Sequence, residues 1–578
     1  MNDIGLVGSP STTAQVTVDI LEEAVGGSLH GQLVALTHPL DANYLIALGT
    51  VTEIETRNRW HEDANMRGVL KKYGSLPHLS AVGDVRSAEV LIQAAYRAGS
   101  SDPSQGEAPI ESGGALAMSP TTGAAVSRVT DEFLTSLLRR HEGQMVYLGP
   151  IFRMEDVRLP LMIRHFGSVE DGGAGESYHS GIFGMTGSGK SAFASYVLAA
   201  QLRHPKLAII VMDPQGQFTT EEGLPFSLQE WAEQQGRTPL TYSISHDLKL
   251  PQNAFLLVGL LGNTRFFRDL LSVRNKENRE SAEAEFTRVL QEQTGWDDAD
   301  PSTLLQNILT ALGGDQQAIT RIYASQTSQQ RLLGRISAIL NSQAELQQAL
   351  DLFAPLHSLF TSTNQAGGPR YSLFNILQAA LNPAQQPRAF IVLNFSSNGG
   401  SELLDSTPVK AQILRIVCSL VNHRAESTYQ QGQSLNTLVV FDEAQRFAAN
   451  EPEDDETREL ADALVDYVRT TRKYGLGWMF ITQEVGSLRR GIYTQLRFRA
   501  FGYGLTSGTE LQRLRETIGD QSALDLYRSF VDPQAMTPRQ YPFMLTGPIS
   551  PLSFTGAPVF LSVYTDFNRF RADNGIDG

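Results

Sequence analysis

The sequence predicts an α/β protein with a mostly parallel β-sheet, a small β-barrel before it and a helical insertion within it. Three observations favour this class. Short β-branched runs separated by turn residues fill roughly the first 165 positions, which is typical of a small barrel. From Ser180 onward, nearly continuous apolar runs alternate with helical patterns, as expected of strands buried on both faces of a parallel sheet. Between the second and third of these runs, a long segment has Leu and Ile at helical spacing.

The barrel prediction depends on five short runs in the N-terminal part. Glycines and turn pairs such as His-Pro separate these runs, and a Gly/Ser/Pro-rich stretch from Ala98 to Ala125 predicts a flexible loop among them. The predicted strands are QVTVDI, GQLVALTHP, YLIALGTVTEIETR, GQMVYLGPIF and LPLMIRHFG.

The sheet prediction depends on five later runs, which are HSGIF, KLAIIVMD, RAFIVLNFS, NTLVVFDE and LGWMFITQ. Together with the helical segment they divide the chain into five parts. We expect the barrel at 1–168, the first part of the sheet domain at 169–221, the helical insertion at 222–383, the second part of the sheet domain at 384–540 and a strand-like tail at 541–578.

Composition limits the class of protein. The 578 residues are enough for roughly three or four domains, and the 41% apolar and 19% charged residues are ordinary for globular proteins. The one cysteine, Cys418, excludes a disulfide framework, and the helical pattern around it predicts a buried thiol. No apolar run reaches the ~20 residues that span a bilayer, and the N-terminus lacks a signal-peptide layout, so we expect a cytoplasmic protein without membrane contact. The net charge of −15 disfavours a surface coated with nucleic acid but permits a local basic channel.

The segment GMTGSGKS fits the phosphate-binding pattern G-x-x-x-x-G-K-[ST]. A strand-like run precedes it and the helical pattern SAFASYVLAAQLR follows, so backbone N–H groups and a helix N-terminus can surround phosphate oxygens. We expect Lys190 to reach the β- and γ-phosphates of ATP and Ser191 to ligate Mg²⁺. A plain Gly-rich turn would not require this Lys-Ser pair. The other loop residues predicted to contact the nucleotide are Gly184, Thr186, Gly187, Ser188 and Gly189.

The second half of such a site is an acidic residue at the end of a buried strand. NTLVVFDEAQRF supplies it, with Asp442 predicted to hold Mg²⁺ and Glu443 predicted to act as the general base toward the attacking water. The alternative is an Asp that caps a helix after a strand. A position downstream of a phosphate-binding loop favours the functional interpretation, and the adjacent acids favour hydrolysis over nucleotide storage.

Three further positions each have two interpretations that the spacing leaves open. Asp213 in VMDPQGQF lies close to the phosphates or simply forms an Asp-Pro turn. Arg472, which is followed by Lys473, complements a helix dipole or reaches the γ-phosphate of a neighbouring subunit. Gln483 is a sensor of the γ-phosphate and water or an ordinary polar strand end.

In this order, the motifs GMTGSGKS, MDPQGQF, VVFDEAQRF, RKYGLG and ITQ resemble those of the HerA family, within the HerA–FtsK group of RecA-like motor ATPases. The N-terminal runs also resemble the small barrel that precedes the motor in that family. The resemblance covers nearly the whole chain. It implies a RecA-like P-loop core, a homo-hexameric ring with ATP and Mg²⁺ held between subunits, and double-stranded DNA moved through the central pore.

The resemblance implies the same nucleotide, metal and water roles as the motifs do. It adds that Arg472 acts as an arginine finger in trans and that Gln483 is the sensor. It also implies a partner on the barrel side, either a NurA-like nuclease or, in defence operons, a sirtuin-like NADase or another nuclease. The predicted function is therefore an ATP-driven translocase of double-stranded DNA in DNA end processing or antiphage defence.

Two departures from the family pattern affect the expected rate. Gln215 and Gln217 stand where the family usually has a His and an acidic residue, and Gln445 stands where it often has a His. Amides cannot act as a base or carry charge, so these residues leave the rate of hydrolysis open while the metal and water residues are intact.

Two segments are candidates for DNA contact. SLRRGIYTQLRFR places Arg489 and Arg490 just after the predicted sensor, followed by Arg497 and Arg499, and basic residues with an interleaved Tyr suit phosphate contact. The alternative is a solvated loop followed by strand residues. The second candidate is the Gly-containing segment from Ser396 to Ser406.

Two other functions are compatible with the same motifs. In the first, the ring is an ATP-controlled assembly platform that recruits and activates an effector enzyme, with little or no DNA transport. In the second, the chain is a conjugation or secretion motor, although such motors usually work at a membrane and no anchoring segment is predicted here.

Overall fold

The computed structural model of the chain describes residues 2–40, 43–74, 77–105, 111–364, 366–396 and 402–576. Within these residues the strands form an N-terminal sheet of seven strands, a larger sheet of eleven and a separate pair. Helices cover the larger sheet. The predicted class is confirmed: an α/β core with a mostly parallel sheet follows a small β-barrel.

The N-terminal sheet closes into a barrel. Its strands are β1 (Asp3–Val7), β2 (Gln15–Ile20), β3 (Leu33–Leu40), β4 (Asn43–Asn58), β5 (Asp84–Ala98), β6 (Glu111–Gly114) and β7 (Ala125–Arg128). The wall follows the order β2-β1-β7-β3-β4-β5, and β2 also pairs with β5, which closes the ring. Alternation supports the closure, because Val16 and Val18 are buried in the barrel core while Thr17 between them is only half-buried.

Four short helices accompany the barrel. Three of them lie between β4 and β5 and the fourth follows β7: α1 (Arg59–Glu62), α2 (Ala64–Tyr73), α3 (Pro77–Gly83) and α4 (Asp131–Leu137). Asn58 and Asp63 cap the first two helices, since their side chains accept hydrogen bonds from backbone N–H groups of the first turn.

The remaining strands are β8 (Val146–Ile151), β9 (Met154–Leu161), β10 (His179–Phe183), β11 (Ala208–Asp213), β12 (Pro239–Ser243), β13 (Leu248–Lys249), β14 (Tyr371–Ser372), β15 (Phe390–Asn394), β16 (Thr437–Phe441), β17 (Leu476–Thr482), β18 (Leu496–Phe501), β19 (Tyr541–Thr546) and β20 (Val559–Val563). β13 and β14 pair with each other. The others form the larger sheet in the order β12-β15-β11-β16-β17-β10-β18-β19-β20-β8-β9. The pairings from β12 through β18 are parallel, and those from β18 to β9 are antiparallel.

Both faces of the parallel part are buried. In β11, Ile209 and Val211 belong to one hydrophobic core, while Ile210 and Met212 belong to another on the opposite face. A strand that contributes to two cores has no polar positions to alternate with, which explains the continuous apolar runs in the sequence.

In the larger sheet, four strands differ from the sequence-based expectation; in the barrel, β1, β5, β6 and β7 lie outside the predicted runs, and β6 lies within the segment predicted as a flexible loop. β8 and β9, grouped with the barrel in the sequence, pair through β20 with the C-terminal strands of the larger sheet. β12 lies inside the predicted helical insertion; as an edge strand it is only partly buried, so it has no apolar run. β18 alternates buried and more exposed residues, and the arginines at the exposed positions interrupt the apolar run by which the other strands were predicted.

The helices of the rest of the chain are α5 (Lys190–Leu202), α6 (Gln217–Thr220), α7 (Leu228–Gln234), α8 (Ala254–Gly262), α9 (Lys276–Glu292), α10 (Pro301–Gly314), α11 (Gln316–Ile322), α12 (Gln326–Asn341), α13 (Gln343–His357), α14 (Leu373–Ala380), α15 (Thr407–Gln430), α16 (Asp455–Thr470), α17 (Arg490–Tyr493), α18 (Gly508–Ile518), α19 (Gln521–Arg528) and α20 (Phe567–Asp573). Cys418 is a buried free thiol in α15, as predicted. Among the described residues, none of the helices combines the length and apolar character that a bilayer span requires.

Candidate functional site

The phosphate-binding loop lies at the carboxyl end of β10 and leads directly into α5. Its glycines are required by the backbone, since Gly187 and Gly189 have φ values of 83° and 90° in the left-handed region. Gly189 also leaves room for a neighbour: a Cβ atom there would lie 2.5 Å from the ring of Tyr541. The loop is therefore held open for an anion at the N-terminus of α5.

Lys190 is already directed into this loop. Its Nζ donates hydrogen bonds to the carbonyl oxygens of Gly184 at 2.8 Å and Met185 at 3.1 Å. Burial lowers the pKa of Lys190, and the negative charges of Glu443 and Asp442 oppose this shift. The ammonium is thus placed between the loop and two carboxylates.

Asp442 directly follows β16 and is 4% exposed. Its Oδ2 atom is buried and has no hydrogen-bond partner among the described residues. Burial, followed by the charges of Glu443 and Asp213, raises the pKa of Asp442 to about 7 despite the opposing Lys190. A buried carboxylate oxygen without a partner suits a cation with oxygen ligands, so the residues present fit Mg²⁺.

The second predicted metal ligand, Ser191, starts α5. Its Oγ donates a hydrogen bond to Oε1 of Gln217 at 3.1 Å. Gln217 is one of the three glutamines at which the sequence departs from the family pattern. In the structure it accepts the hydrogen bond of the serine hydroxyl that is predicted to ligate the metal.

Substitution Asp442→Asn is expected to stabilise the nucleotide-free protein at pH 8 more than at pH 5. The folded-state pKa of Asp442 lies above its ordinary value of 3.8. The contribution of this carboxyl to the free energy of unfolding is therefore fully present below about pH 4. It is lost as the pH rises to about 7, because in that range the carboxyl ionises freely only in the unfolded chain. The wild-type free energy of unfolding should fall by about 3 kcal/mol between pH 5 and pH 8, and asparagine should abolish this fall.

Urea unfolding in EDTA measures this difference. The exposed Asp466→Asn is the matched control and should not change the pH dependence. Equal stabilisation of the Asp442 variant at both pH values would contradict the shifted pKa.

Glu443 is connected to the phosphate-binding loop through amides. Its Oε2 accepts hydrogen bonds from Nε2 of Gln445 and, at 3.4 Å, from Nε2 of Gln483. Oε1 of Gln483 in turn accepts a hydrogen bond from Thr186 Oγ1 at 3.3 Å. Glu443 itself has a φ of 48°, a left-handed conformation that is uncommon for a non-glycine residue and is found at functional sites. The structure thus brings the predicted base and the predicted sensor together beside the loop.

Asp213 has the contacts of a turn residue. It is fully buried and accepts hydrogen bonds of 2.8 Å each from Gly216 N, Thr219 N and Thr219 Oγ1. Burial raises the pKa of Asp213 while these hydrogen bonds lower it. The loop that it fixes carries Gln217 to the metal site.

Arg472 lies at the amino ends of the parallel strands, whereas the phosphate-binding loop lies at their carboxyl ends. It precedes β17, and its guanidinium pairs with Glu176, which precedes β10. Its carbonyl oxygen accepts hydrogen bonds from the backbone N and Oγ of Ser177 at 3.1 and 3.0 Å. Ser177 and Gly184 are separated by seven residues of mostly extended chain, or roughly 20 Å. Arg472 is therefore far from the loop of its own chain.

The two arginines predicted to contact DNA differ in their surroundings. Arg489 donates a hydrogen bond to Asn450 O at 3.0 Å and pairs with Asp462. Arg490 is exposed and forms no ion pair within the described part of the chain. In the other candidate segment, residues 397–401 lie outside the described residues.

The site includes three residues that sequence reasoning missed. A cavity of about 610 Å³ extends over the loop, the two acidic residues and Gln483, and it is also lined by Gln534, Arg539 and Tyr541. Arg539 is exposed and belongs to the same chain as the loop, so it adds a positive charge in cis. No motif marks these positions, because they reach the site only through the pairing of β19 with β18.

A comparison with known protein families matches the part of the chain that carries the phosphate-binding loop. Residues 177–369, which include the phosphate-binding loop, match the family model described as the central domain of helicase HerA. No curated protein matches the chain.

Two solved structures show distant similarity. VirB4 of Thermoanaerobacter pseudethanolicus aligns with a TM-score of 0.40 and 13% identity, over 73% of this chain and 97% of that one. The genome packaging NTPase B204 of Sulfolobus turreted icosahedral virus 2, in complex with ATP-gammaS, aligns with a TM-score of 0.27 and 10% identity, over 67% of this chain and 96% of that one.

The family match covers the phosphate-binding part of the site, since the matched segment begins just before β10 and contains the loop and α5, whereas Asp442, Glu443 and Gln483 lie beyond its end. The chain therefore carries a HerA-type central domain and is a P-loop ATPase, which confirms the resemblance predicted from its motifs.

Proposed function

We propose that this chain is a cytoplasmic ATP-hydrolysing motor that moves double-stranded DNA, with nucleotide and Mg²⁺ bound between the identical subunits of a hexameric ring. One observation carries the proposal: Arg472 lies at the amino ends of the strands, opposite the carboxyl ends at which its own phosphate-binding loop lies. An arginine in this place can assist hydrolysis only at the site of another subunit. In the proposed ring, the phosphate-binding loop of one subunit faces the strand ends that carry Arg472 in the next subunit.

The binding step uses groups that are already in position. Lys190 exchanges its two carbonyl partners for phosphate oxygens, and the N–H groups of the loop and of α5 surround the same phosphates. Ser191 and Asp442 would hold Mg²⁺, which, when bound, neutralises charge on the phosphates. The unpaired Oδ2 of Asp442 gains a partner in this state, which offsets the cost of its burial.

The chemical step uses Glu443 as the base. Its carboxylate takes a proton from the attacking water, the water oxygen bonds to the γ-phosphorus, and the bond from that phosphorus to the β–γ bridging oxygen breaks. Gln445 and Gln483 hold the carboxylate in one orientation through their amide N–H groups. Gln445 cannot replace the base, but it can restrict the geometry in which the base works.

A partner effector, such as a nuclease or a sirtuin-like NADase in end processing or antiphage defence, completes the proposal. The barrel side supports its docking, because apolar side chains are exposed on and beside the β4–β5 hairpin. Trp60, Tyr73 and Val85 are 50%, 67% and 58% exposed. Exposed apolar side chains that form a contiguous patch are typical of protein interaction sites.

The direct test is the ATPase rate with and without duplex DNA, together with particle imaging of the purified protein with ATP. The proposal requires six-fold rings and a rate that duplex DNA raises. A rate that is indifferent to DNA, combined with an effector that is fully active on a hydrolysis-deficient ring, would replace the motor by an assembly platform.

Substitution Glu176→Gln is expected to raise kcat modestly, by no more than about fivefold. Arg472 and Glu176 are both about half exposed, and exposed ion pairs contribute roughly 0–1 kcal/mol. Removing the carboxylate frees Arg472 for the phosphate of the neighbouring subunit. Steady-state ATPase assays measure the effect, with the exposed Glu170→Gln as control. A fall in kcat would mean instead that Glu176 holds Arg472 in its productive position.

A further inference from the structure

A cavity of about 750 Å³ lies between α17, β18 and α18, outside the nucleotide site. Three arginines line it: Arg490 from α17, Arg499 from β18 and Arg513 from α18. One acidic residue, Glu516, shares the lining, and its carboxylate accepts a hydrogen bond from Gln512 at 3.4 Å. The cavity is therefore positively charged in a chain whose net charge is −15.

These arginines lack the counter-charges that other arginines of the region have. Arg490 and Arg513 form no ion pair within the described part of the chain. Arg499 donates from Nη2 to the carbonyl oxygen of Tyr493 at 3.3 Å, while its buried Nε has no partner among the described residues. The next acidic side chain on α18, Glu510, is occupied by the backbone N–H groups of the loop before α17. Three guanidinium groups in one cavity repel each other, so an anion bound among them is stabilising.

The lining selects the kind of anion. Guanidinium groups offer paired N–H donors that match phosphate oxygens, and Thr494 and Thr509 add hydroxyl groups. The ring of Tyr493 is covered by Arg499, whose guanidinium carbon lies 4.8 Å from the ring centroid, and its hydroxyl contacts Thr517 Oγ1 at 2.5 Å. Tyr493 is the one aromatic side chain in the described lining, and Arg499 already covers one of its faces, so the cavity offers little surface for stacking a base. This favours a duplex backbone over a single strand.

The cavity also adjoins the segment that follows Gln483. Glu510 accepts hydrogen bonds from Val485 N at 2.6 Å and Gly486 N at 2.8 Å. A Cβ atom on Gly486 would lie 3.4 Å from Nε of Arg513, so this arginine runs alongside the same segment. An anion that draws Arg513 toward it therefore changes the packing of Arg513 against the loop that begins at Gln483.

We infer that this cavity binds the phosphodiester backbone of duplex DNA and passes its occupancy to Gln483. The inference rests on the proposed function, and it adds the location of the contact and a route from DNA to the hydrolytic residues. It also assigns different roles to two adjacent arginines: Arg490 contacts phosphate, whereas Arg489 holds the loop through Asp462 and Asn450.

The test compares the double variant Arg490→Ala/Arg513→Ala with Arg515→Ala/Arg528→Ala. The control pair removes the same charge from exposed arginines of α18 and α19 that do not line the cavity. Fluorescence anisotropy with a labelled duplex is measured over a range of NaCl concentrations. We expect the slope of log affinity against log salt to fall by about 0.9 for each lost phosphate contact, or about 2 for the cavity variant, with affinity reduced at least about 10-fold. The control variant should keep the wild-type slope.

A cavity variant that matches the control in slope and affinity would overturn the inference and leave the proposed motor standing. A wild-type protein that binds no duplex at any salt concentration would overturn both. Inorganic phosphate is then titrated against chloride at equal ionic strength. Displacement of DNA by phosphate that exceeds displacement by chloride, and that the cavity variant loses, supports a site for the phosphate oxygens of the backbone. Phosphate that binds the cavity without displacing DNA would overturn the assignment to DNA.

Discussion

Substitution Glu443→Gln is expected to lower the rate of ATP hydrolysis by about 10²–10⁴-fold while ATP binding remains. Glutamine keeps the size of the side chain but cannot accept the proton of the attacking water. Lys190, the loop and the metal ligands are untouched, so the nucleotide affinity should change little. Single-turnover hydrolysis gives the rate, and titration with a fluorescent ATP analogue gives the affinity.

Two variants make this result specific. The exposed Glu451→Gln changes the same chemical group outside the cavity and should retain the wild-type rate. Lys190→Ala should lose nucleotide binding as well as hydrolysis, since it removes the ammonium that meets the phosphates. If the Glu443 variant hydrolysed ATP at the wild-type rate, another residue would have to be the base.

Substitution Arg472→Ala is expected to lower kcat by about 10³–10⁵-fold, the range typical of arginine fingers. The loss should be reversible by mixing. Subunits with Arg472→Ala keep an intact loop, and subunits with Lys190→Ala keep an intact Arg472, so a mixed ring contains sites in which both groups meet. Neither variant alone should be active, and mixtures should regain a fraction of the wild-type rate.

The adjacent cation is the matched control for this experiment. Lys473 lies over the rings of Tyr429 and Tyr474 of its own chain, at 5.6 and 5.2 Å from their centroids. Lys473→Ala should therefore retain most of the activity. Mixtures of the Arg472 and Lys190 variants that stayed inactive, although mixed rings form, would contradict an arginine acting in trans.

Much of the fold could be predicted because the residue pattern within each segment indicates its secondary structure. Strands buried on both faces, such as β11 and β16, are continuous apolar runs that no other element of this length matches. β12 escaped prediction because an edge strand needs no such run, and in β18 the alternation of Leu496, Phe498 and Ala500 was obscured by the arginines between them. The pairing of β8 with β20 depends on contacts between distant parts of the chain, for which the sequence carries no local signal.

The site shows the same division. The loop residues, Asp442, Glu443 and Gln483 follow strands of one parallel sheet, so their meeting at one edge follows from topology. Their catalytic roles stay predictions, for which the experiments above are designed. Arg539 could not be found in this way, because it joins the cavity from an irregular segment. Of the three arginines in the other cavity, Arg490 and Arg499 lie in a segment that the sequence marked as basic, whereas Arg513 was missed because it joins them from a separate helix.

Strand β10 has a loop for phosphate at one end and, at the other, the residue that anchors Arg472. Ser177 is fixed to the carbonyl oxygens of both Arg472 and Leu476, and His179 contacts Val468 O at 2.8 Å. Five residues of rigid strand join the two ends. If Arg472 acts in trans in a ring, as proposed above, a protomer that changes its nucleotide also alters the position of Arg472 at the site of its neighbour. In the proposed ring, such a linkage favours hydrolysis at one interface after another.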